Sequence, residues 1–439
     1  MREGISAARW LVEGGALADV VGTGGPAAWL EFDEGVREDQ WYLPPDVVPV
    51  WEATDGGRAL IAALRAGGPL TDPHLALALC HRDGRIRHRA LGRAAGRPEL
   101  LPLVVLRCAD WAPPVRERAR ELLARELDDA AAVRLAPLVL RIGRRGRGDF
   151  AAGLLRDLLD RADKERLAPL LAAADRAVRR FAYGLAVQRG LLSPGELARA
   201  AAREDDIVVR NLCADAASAG AGEQDAEEVL EALLGARNPQ ARSAGVTALR
   251  RLGRHERATG FLADRSALVR ACARYVVRQH GTDPLPWYRQ RCADPADPGL
   301  PPGAALGLAE CGQRLDAGLL WPLLDHPVAG VRARAVAGLR LLDVTDVPRM
   351  RRMLDDPAPG VVREATLALL PSARLLPEQW LTERLGAGRP RWVRVSAYRL
   401  LDAHGGAVRL RAAMALLDDP DERLRARAEQ TVRRVRQPG

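Results

Sequence analysis

Apolar and polar positions recur along most of the chain with the period of an α-helix. In the stretch LLDHPVAGVRARAVAGLRLL at 323–342, the apolar residues Val331, Ala335 and Leu339 stand four positions apart, so they form one stripe on a helix. A turn of sequence Asp-His-Pro comes before that helix, and the same turn and stripe return about 31 residues later as MLDDPAPGVVREATLALL. This pattern predicts a repeated unit whose main element is a half-buried helix.

An arginine that follows an apolar residue marks the second helix of each repeat, and we call it the anchor arginine. Anchors recur about every 31 residues. In two places the interval is about twice as long, so we expect a degenerate unit without an anchor near Arg147 and another near Pro301. This spacing predicts about twelve units of two helices each over residues 58–439, and therefore an all-α fold of the solenoid class. The anchors are Arg87, Arg116, Arg179, Arg210, Arg242, Arg270, Arg332, Arg363, Arg394 and Arg425.

The third position after the anchor is usually a small residue. A small side chain at that point of the apolar stripe lets neighbouring helices approach closely, so we expect these positions to be buried between units. They are Ala119, Ala182, Cys213, Gly245, Ala273, Ala335, Ala397 and Ala428.

The Asp-Pro turn, the Val-Arg anchor and the Ala/Leu stripe resemble HEAT-like repeats, in particular the short phycobilisome-lyase type. The resemblance covers roughly 85% of the chain. It implies a right-handed α-solenoid of helical hairpins, an architecture used mostly for binding. It also implies structural pairs between turn aspartates and anchors. These pairs are Asp325–Arg332, Asp356–Arg363, and Asp205 or Asp206 with Arg210.

Residues 1–57 do not follow the repeat, and we call them the N-terminal segment. The segment holds three arginines and eleven acidic residues, a balance of −8, which leaves 63 basic and 46 acidic residues, or +17, for the remainder. It also contains four of the nine tryptophans, Trp10, Trp29, Trp41 and Trp51. We expect it to cap the first repeats, and the alternative is a segment that binds a partner or covers a groove. The docking residues expected are Arg87, Arg89, Arg93 and Arg97.

Arginines also recur two and eight positions after the anchors, away from the apolar stripe. Lys164 is the only lysine among the 66 basic residues, a bias typical of a GC-rich genome, so arginine abundance alone indicates little. Stacked helices would nevertheless align these side chains into a basic stripe for phosphates or an acidic protein. A second basic stretch, RIGRRGRGDF at 141–150, is either a phosphate-contacting loop or a solvated insertion. The candidate binding residues of the stripe are Arg89, Arg118, Arg250, Arg278, Arg334, Arg340, Arg427 and Arg433.

The sequence offers no catalytic motif, and we expect no catalytic residue, cofactor or metal site. Six cysteines are scattered without a C-x-x-C pair, and a turn at Asp83-Gly84 separates the three histidines between 74 and 88. We therefore predict a non-enzymatic scaffold whose partner is an acidic protein. The alternative is nucleic-acid binding, including repair by an enzyme that resembles the all-HEAT alkylpurine DNA glycosylases, with Asp110-Trp111 as its candidate pair. The scattered cysteines indicate reduced thiols, so we expect a cytoplasmic protein. No apolar run of about 18 residues occurs, so we expect no membrane partner.

Overall fold

A computed structural model describes residues 2–22, 25–41 and 48–436, with the side chains of 7–22, 25–37 and 48–434. All regular structure in these ranges is helical, which confirms the predicted all-α fold class. Across the same ranges, none of the helices combines the length and the apolar character needed to cross a membrane.

The chain divides into two compact units, residues 1–197 with 204–216 and residues 198–203 with 217–439. Two helices, α13 (Pro194–Arg203) and α14 (Ile207–Gly220), contribute to both units. The other helices of the first unit are α1 (Arg2–Val12), α2 (Leu17–Val21), α3 (Pro26–Trp41), α4 (Asp55–Ala66), α5 (Asp72–Leu79), α6 (Gly84–Leu91), a 3-10 helix Pro98–Leu100, α7 (Leu101–Arg107), α8 (Pro113–Glu126), α9 (Asp129–Ile142), α10 (Asp149–Leu159), α11 (Lys164–Leu171) and α12 (Arg176–Gln188).

The second unit contains α-helices and five short 3-10 helices, and it has an apolar core of its own. Its helices are α15 (Ala226–Leu234), α16 (Pro239–Arg251), 3-10 His255–Phe261, α17 (Ala267–Gln279), α18 (Leu285–Arg291), α19 (Pro302–Cys311), 3-10 Arg314–Asp316, α20 (Ala317–Leu320), 3-10 Pro322–Asp325, α21 (Ala329–Leu341), α22 (Val347–Arg352), 3-10 Met353–Asp355, α23 (Pro359–Leu369), 3-10 Leu370–Leu375, α24 (Glu378–Glu383), α25 (Arg391–His404), α26 (Gly406–Met414) and α27 (Glu422–Arg436).

A first helix and a second helix follow each other through both units, from α5–α6 to α26–α27. The first member is often short or partly 3-10, whereas the second carries the anchor and starts after a turn. The two degenerate units are helical pairs as well, α9–α10 and α18–α19. The exact number of repeats and the phycobilisome-lyase subtype stay predictions.

The apolar stripe is buried as predicted. Val331, Ala335 and Leu339 have no exposed surface, and the small residues after the other anchors are buried too. At Gly245, an added Cβ would lie 2.9 Å from the Cβ of Leu233, so only glycine leaves room for this helix contact. The stripe therefore determines which face of each second helix enters the core.

Five of the ten anchor arginines pair with an acid in the turn of the following repeat, and two pairs implied by the resemblance are wrong. Arg332 donates to both carboxylate oxygens of Asp356, at 2.8 and 2.9 Å, while its Nη1 donates to the carbonyl of His326 at 2.8 Å. Arg363 instead binds the neighbouring Glu364, at 2.8 Å. In Arg332, Nη1 donates to backbone carbonyls of the turn in its own repeat. The other nitrogens of the guanidinium bind the carboxylate of the next turn.

The contacts around Arg210 also differ from those that the resemblance implies. Arg210 donates to the backbone carbonyls of Glu204 and Asp205, and the carboxylate of Asp206 binds Arg180 at 2.8 and 2.9 Å. Elsewhere the contact from an anchor to the next turn recurs in both units, and we call the set the arginine ladder. Its other members are Arg87–Asp110, Arg179–Glu204, Arg242–Asp264 and Arg394–Asp419.

The N-terminal segment shares the apolar core of the first unit. Trp29 and Trp51 are buried in the same cluster as Leu75, whereas Trp10 is 51% exposed and the Trp41 side chain lies outside the described residues. Helix α4 crosses the predicted boundary at residue 57, because Thr54 caps it by accepting a hydrogen bond from the Gly57 amide. The division into a cap and a repeat region stays a prediction.

The contacts of the N-terminal segment differ from those expected. Asp33 forms an ion pair with Arg107, and Glu52 bonds to His81 at 2.9 Å. Of the expected docking residues, Arg93 donates to the Gly68 carbonyl and Arg97 pairs with Asp72. The remaining two are Arg87, which belongs to the ladder, and Arg89, which is exposed.

Candidate anion-binding cleft

Acidic side chains of α3 and arginines of the repeats surround one cleft in the first unit, which we call the first cleft. Its volume is about 740 Å³, within the range of ligand-binding pockets. The walls come from α3, from α9 with the loop after it, and from the start of α12. The lining residues are Ala27, Leu30, Glu31, Glu34, Pro137, Arg141, Arg144, Arg145, Asp175, Arg176 and Ala177.

The loop after α9 positions two of the arginines. Ile142 is fully buried and ends the helix, and the chain then turns tightly over residues 143–148. A Cβ at Gly148 would lie 1.9 Å from the Ile142 carbonyl oxygen, so this turn requires glycine. The tight turn leaves Arg144 and Arg145 exposed, with both lining the cleft.

Two faces of α3 have separate roles. Ala27, Leu30, Glu31 and Glu34 recur at three- and four-residue spacing and line the cleft. A neighbouring face carries Asp33, which is buried and binds Arg37 at 3.0 Å and Arg107. Burial raises the pKa of Asp33, and the Arg37 charge opposes that rise. The buried contacts therefore set the rotation of α3 that presents the two glutamates.

The first cleft has four arginines and three carboxylates, those of Glu31, Glu34 and Asp175, in its lining, so positive charge exceeds negative charge by one. Arg145 lies 3.7 Å from Glu34, and both side chains are at least half exposed, so this pair contributes little stability. Within the described ranges, Arg141, Arg144 and Arg176 form no side-chain hydrogen bond or ion pair. The amino terminus of α12 adds partial positive charge at the same wall, where the Asp175 carboxylate caps it by accepting a hydrogen bond from the Ala177 amide. The cleft can therefore bind an anion with several guanidinium groups.

None of the eight arginines of the predicted stripe lines the first cleft. Three of them form ion pairs, and Arg250 donates to the Tyr275 hydroxyl at 3.1 Å. The pairs are Arg118–Glu121, Arg340–Glu364 and Arg433–Glu429. The other four make no side-chain hydrogen bond or ion pair with any residue that the structure describes. These four are Arg89, Arg278, Arg334 and Arg427. The stripe as a binding surface stays a prediction.

Sequence reasoning found only part of the first cleft. It singled out the basic stretch at 141–150 but not its acidic partners Glu31 and Glu34, nor Arg176 on the next repeat. The three-residue spacing of the two glutamates was the available signal, because it places both on one helix face. It did not indicate which repeat that face would meet.

The carboxylate considered for repair chemistry is part of the ladder. Asp110 is buried, accepts 2.9 and 2.8 Å hydrogen bonds from Arg87, and accepts another from the Ala112 amide. Trp111 beside it is 63% exposed. In the second unit, the rings of His255 and His280 stack with centroids 3.5 Å apart.

No family model and no curated protein matches this chain. Among solved structures, an engineered protein aligns over 99% of this chain and 100% of its own, with 15% identity and a TM-score of 0.24. Kap121p bound to Pho4p and Kap121p bound to Nup53p each align over 99% of this chain, with 12% identity and TM-scores of 0.32. The alignment covers 53% of Kap121p, so the chain spans about half of that protein's length.

Proposed function

We propose that the protein is a non-enzymatic scaffold that binds an acidic segment of a partner protein at the first cleft. The observation that carries the proposal is the group of four arginines around one concave site. Three of them, Arg141, Arg144 and Arg176, lack an acidic partner among the described residues. Guanidinium groups bind carboxylates through paired hydrogen bonds, so an acidic segment would satisfy them together.

Helix α3 is a wall of this site in the proposal, and the N-terminal segment acts as a cap. The buried Asp33–Arg107 pair and the burial of Trp29 support a permanent position for α3. Glu34 lies against the exposed Arg145, where solvent weakens the attraction. An incoming acidic segment could therefore displace the Glu34 contact without moving the helix.

Nucleic-acid binding through the predicted stripe is the second candidate. It is supported by the exposed Arg89, Arg278 and Arg427, which make no side-chain ion pair in the described part of the chain. When arginines bind the phosphates along a nucleic-acid backbone, the logarithm of the affinity falls steeply and linearly with the logarithm of the salt concentration. A protein interface that depends on a few paired groups loses less affinity under the same change.

The test measures fluorescence anisotropy of labelled poly-L-glutamate and of a labelled DNA duplex at several salt concentrations. The double variant Arg144→Glu, Arg145→Glu should weaken poly-L-glutamate binding by about tenfold or more. Arg125→Glu, Arg161→Glu makes the same charge change at exposed positions of the first unit and should leave that binding nearly unchanged. Equal losses in the two double variants would contradict the proposed site. If the protein binds the duplex but not poly-L-glutamate, and its affinity falls steeply with salt, the result would favour nucleic-acid binding through the predicted stripe.

A further inference from the structure

A second arginine-rich cleft lies in the second unit, between α25 and α27, and we call it the second cleft. Its volume is about 630 Å³. It shares no residue with the first cleft, and only Arg427 among its residues belongs to the predicted stripe. The lining residues are Val395, Tyr398, Arg399, Asp402, Arg427, Gln430, Thr431 and Arg434.

The floor of the second cleft is an ordered pair of hydroxyl groups. Tyr398 is buried, and its phenol and the Thr431 hydroxyl are 2.9 Å apart. Thr431 also donates to the backbone carbonyl of Arg427 one turn earlier, at 3.1 Å. These bonds connect α25 to α27 beneath the cleft, so the two walls are held at a defined separation.

Three cations converge on the second cleft from these two helices. Arg399 comes from α25, and Arg427 and Arg434 come from α27. None of the three has a side-chain hydrogen bond or an ion pair among residues 48–434, where side chains are described. The acidic group of the lining, Asp402, is paired with Arg409 at 2.8 Å. The site therefore holds three uncompensated guanidinium groups around one opening.

We propose that the second cleft binds a phosphate monoester carried by a phosphorylated side chain of a partner protein. A phosphate monoester has a charge between about −1.5 and −2 at neutral pH and three acceptor oxygens. Three guanidinium groups can neutralise that charge, and together with the amide of Gln430 they offer donors for all three oxygens. One carboxylate is matched by a single bidentate arginine, so it would leave two of the three cations unpaired.

The size of the second cleft favours phosphate attached to a peptide over phosphate alone. Its volume lies within the range of about 300–1,000 Å³ that holds drug-sized ligands, far more than one phosphate group requires. Val395 on the wall offers an apolar contact for a residue next to the phosphorylated one. The proposal is independent of the function proposed for the first cleft.

The experiment uses the full chain and labelled peptide pools with random flanking residues and one fixed central residue. That residue is phosphoserine, serine or glutamate, and binding is followed by fluorescence anisotropy at about 0.15 M salt. Inorganic phosphate and an unlabelled DNA single strand serve as competitors. The phosphoserine pool should bind at least about tenfold more tightly than the glutamate pool.

Two double variants locate the binding. The double variant Arg399→Gln, Arg427→Gln should bind the phosphoserine pool about tenfold or more less tightly than the unmodified protein does. The control Arg352→Gln, Arg423→Gln removes two exposed arginines that do not line the cleft, and it should bind like the unmodified protein. Circular dichroism melting of both variants checks that the fold is retained. If Arg399→Gln, Arg427→Gln unfolds, the single variant Arg434→Gln replaces it.

Each alternative outcome overturns the proposal in a recognisable way. Equal affinity for the phosphoserine and glutamate pools would mean that the cleft does not select phosphate. An equal loss in the control variant would place the binding elsewhere on the basic surface. If inorganic phosphate competes at the same concentration as the unlabelled phosphoserine pool, the ligand is phosphate itself rather than a phosphorylated segment. Stronger competition by the DNA strand would point to nucleic acid.

Discussion

At the scale of single residues, the arginine ladder connects one repeat to the next at five of the ten anchors, each time through one side chain. Arg332 illustrates this, because its guanidinium bonds to the His326 carbonyl in its own repeat and to Asp356 in the following one. We expect Arg332→Ala to lower the free energy of unfolding by about 2–4 kcal/mol, since it leaves a buried carboxylate without its cation. Arg363, the anchor of the next repeat, is 67% exposed. Its partner Glu364 is buried but keeps a second contact with Arg340 at 3.5 Å, so Arg363→Ala should cost less than Arg332→Ala, about 1 kcal/mol or below in urea denaturation.

The aspartates provide the matching control. Asp356→Ala should be about as destabilising as Arg332→Ala, and the double variant should lose less than the sum of the two because they form one contact. Asp325, which the resemblance paired with Arg332, is exposed. Asp325→Ala should therefore be nearly neutral. A large loss of stability from Asp325→Ala would contradict this, if the effects of Arg332→Ala and Asp356→Ala were also additive. That result would support the Asp325–Arg332 pair instead.

The small residue after the anchor makes a second prediction at this scale. Ala335 is fully buried where neighbouring repeats meet, so Ala335→Arg forces a charge and a long side chain into a packed contact. We expect a loss of several kcal/mol, seen as a lower midpoint in thermal or urea unfolding. Leu341→Arg adds the same charge to the same helix at a position that is 53% exposed. Similar melting of the two variants would show that the buried face of α21 is misassigned.

The sequence allowed the buried positions to be predicted but not the partners of the anchors. Burial follows from a local period, because Val331, Ala335 and Leu339 share one face of any helix with that spacing. Pairing does not follow, since the turn before Arg332 and the turn after it both contain aspartates. The choice depends on the distance between successive helices after packing, and that distance is a tertiary property.

At the scale of helices and turns, the acidic groups that bind arginine make stability depend on pH. The Arg180 hydrogen bonds lower the pKa of Asp206 to about 2, and the Arg289 hydrogen bond lowers the pKa of Asp316. An unfolded aspartate has a pKa of about 3.9, so the unfolded chain binds more protons once the pH falls below about 4. Stability from these groups is present above that pH and is lost as the pH falls toward about 2.

Urea unfolding measured from pH 7 to about pH 2.5 tests this expectation. Asp206→Asn should lower stability at pH 7 and flatten the decline between about pH 4 and pH 2, because the variant has no carboxylate to protonate. Asp325→Asn, at an exposed turn position, should leave the decline unchanged. An unaltered decline in Asp206→Asn would show that the Arg180 contact does not persist in solution.

Helix α3 gives a prediction about a whole element, because one face enters the core and the other faces the first cleft. Asp33→Ala removes the nearer of the two acids that contact the buried Arg107, since Asp110 lies 3.5 Å away, and it should cost about 2–4 kcal/mol. Glu34→Ala removes an adjacent acid whose pair with Arg145 is exposed, so its effect should be below about 1 kcal/mol. Thermal unfolding of the two variants distinguishes them, and equal melting temperatures would mean that α3 is not docked through Asp33.

At the scale of the whole molecule, periodicity predicted the repeats but not the clefts. The basic stretch at 141–150 could be recognised as a degenerate repeat because its neighbours kept the 31-residue interval. The first cleft also requires α3, which lies about 110 residues earlier in the chain and outside any repeat. A segment without a period has no position in the array until its apolar face is packed. Its contacts with particular arginines therefore could not be deduced from spacing.

The charge imbalance of the chain leads to the final prediction, which concerns the acids that face the first cleft. If the N-terminal segment is only a cap, Glu31→Gln, Glu34→Gln should leave stability nearly unchanged, because both side chains are exposed. It should also strengthen poly-L-glutamate binding by no more than a few fold, as expected when two like charges are removed from the rim of a site.

If α3 instead occupies the site as a mimic of an acidic partner, the same variant should strengthen binding by about tenfold or more. Asp19→Asn, Asp55→Asn makes the same charge change in the same segment without touching the cleft, so it isolates the local effect from net charge. Anisotropy titrations of both variants decide between the two roles, and a strong increase in the control alone would contradict both.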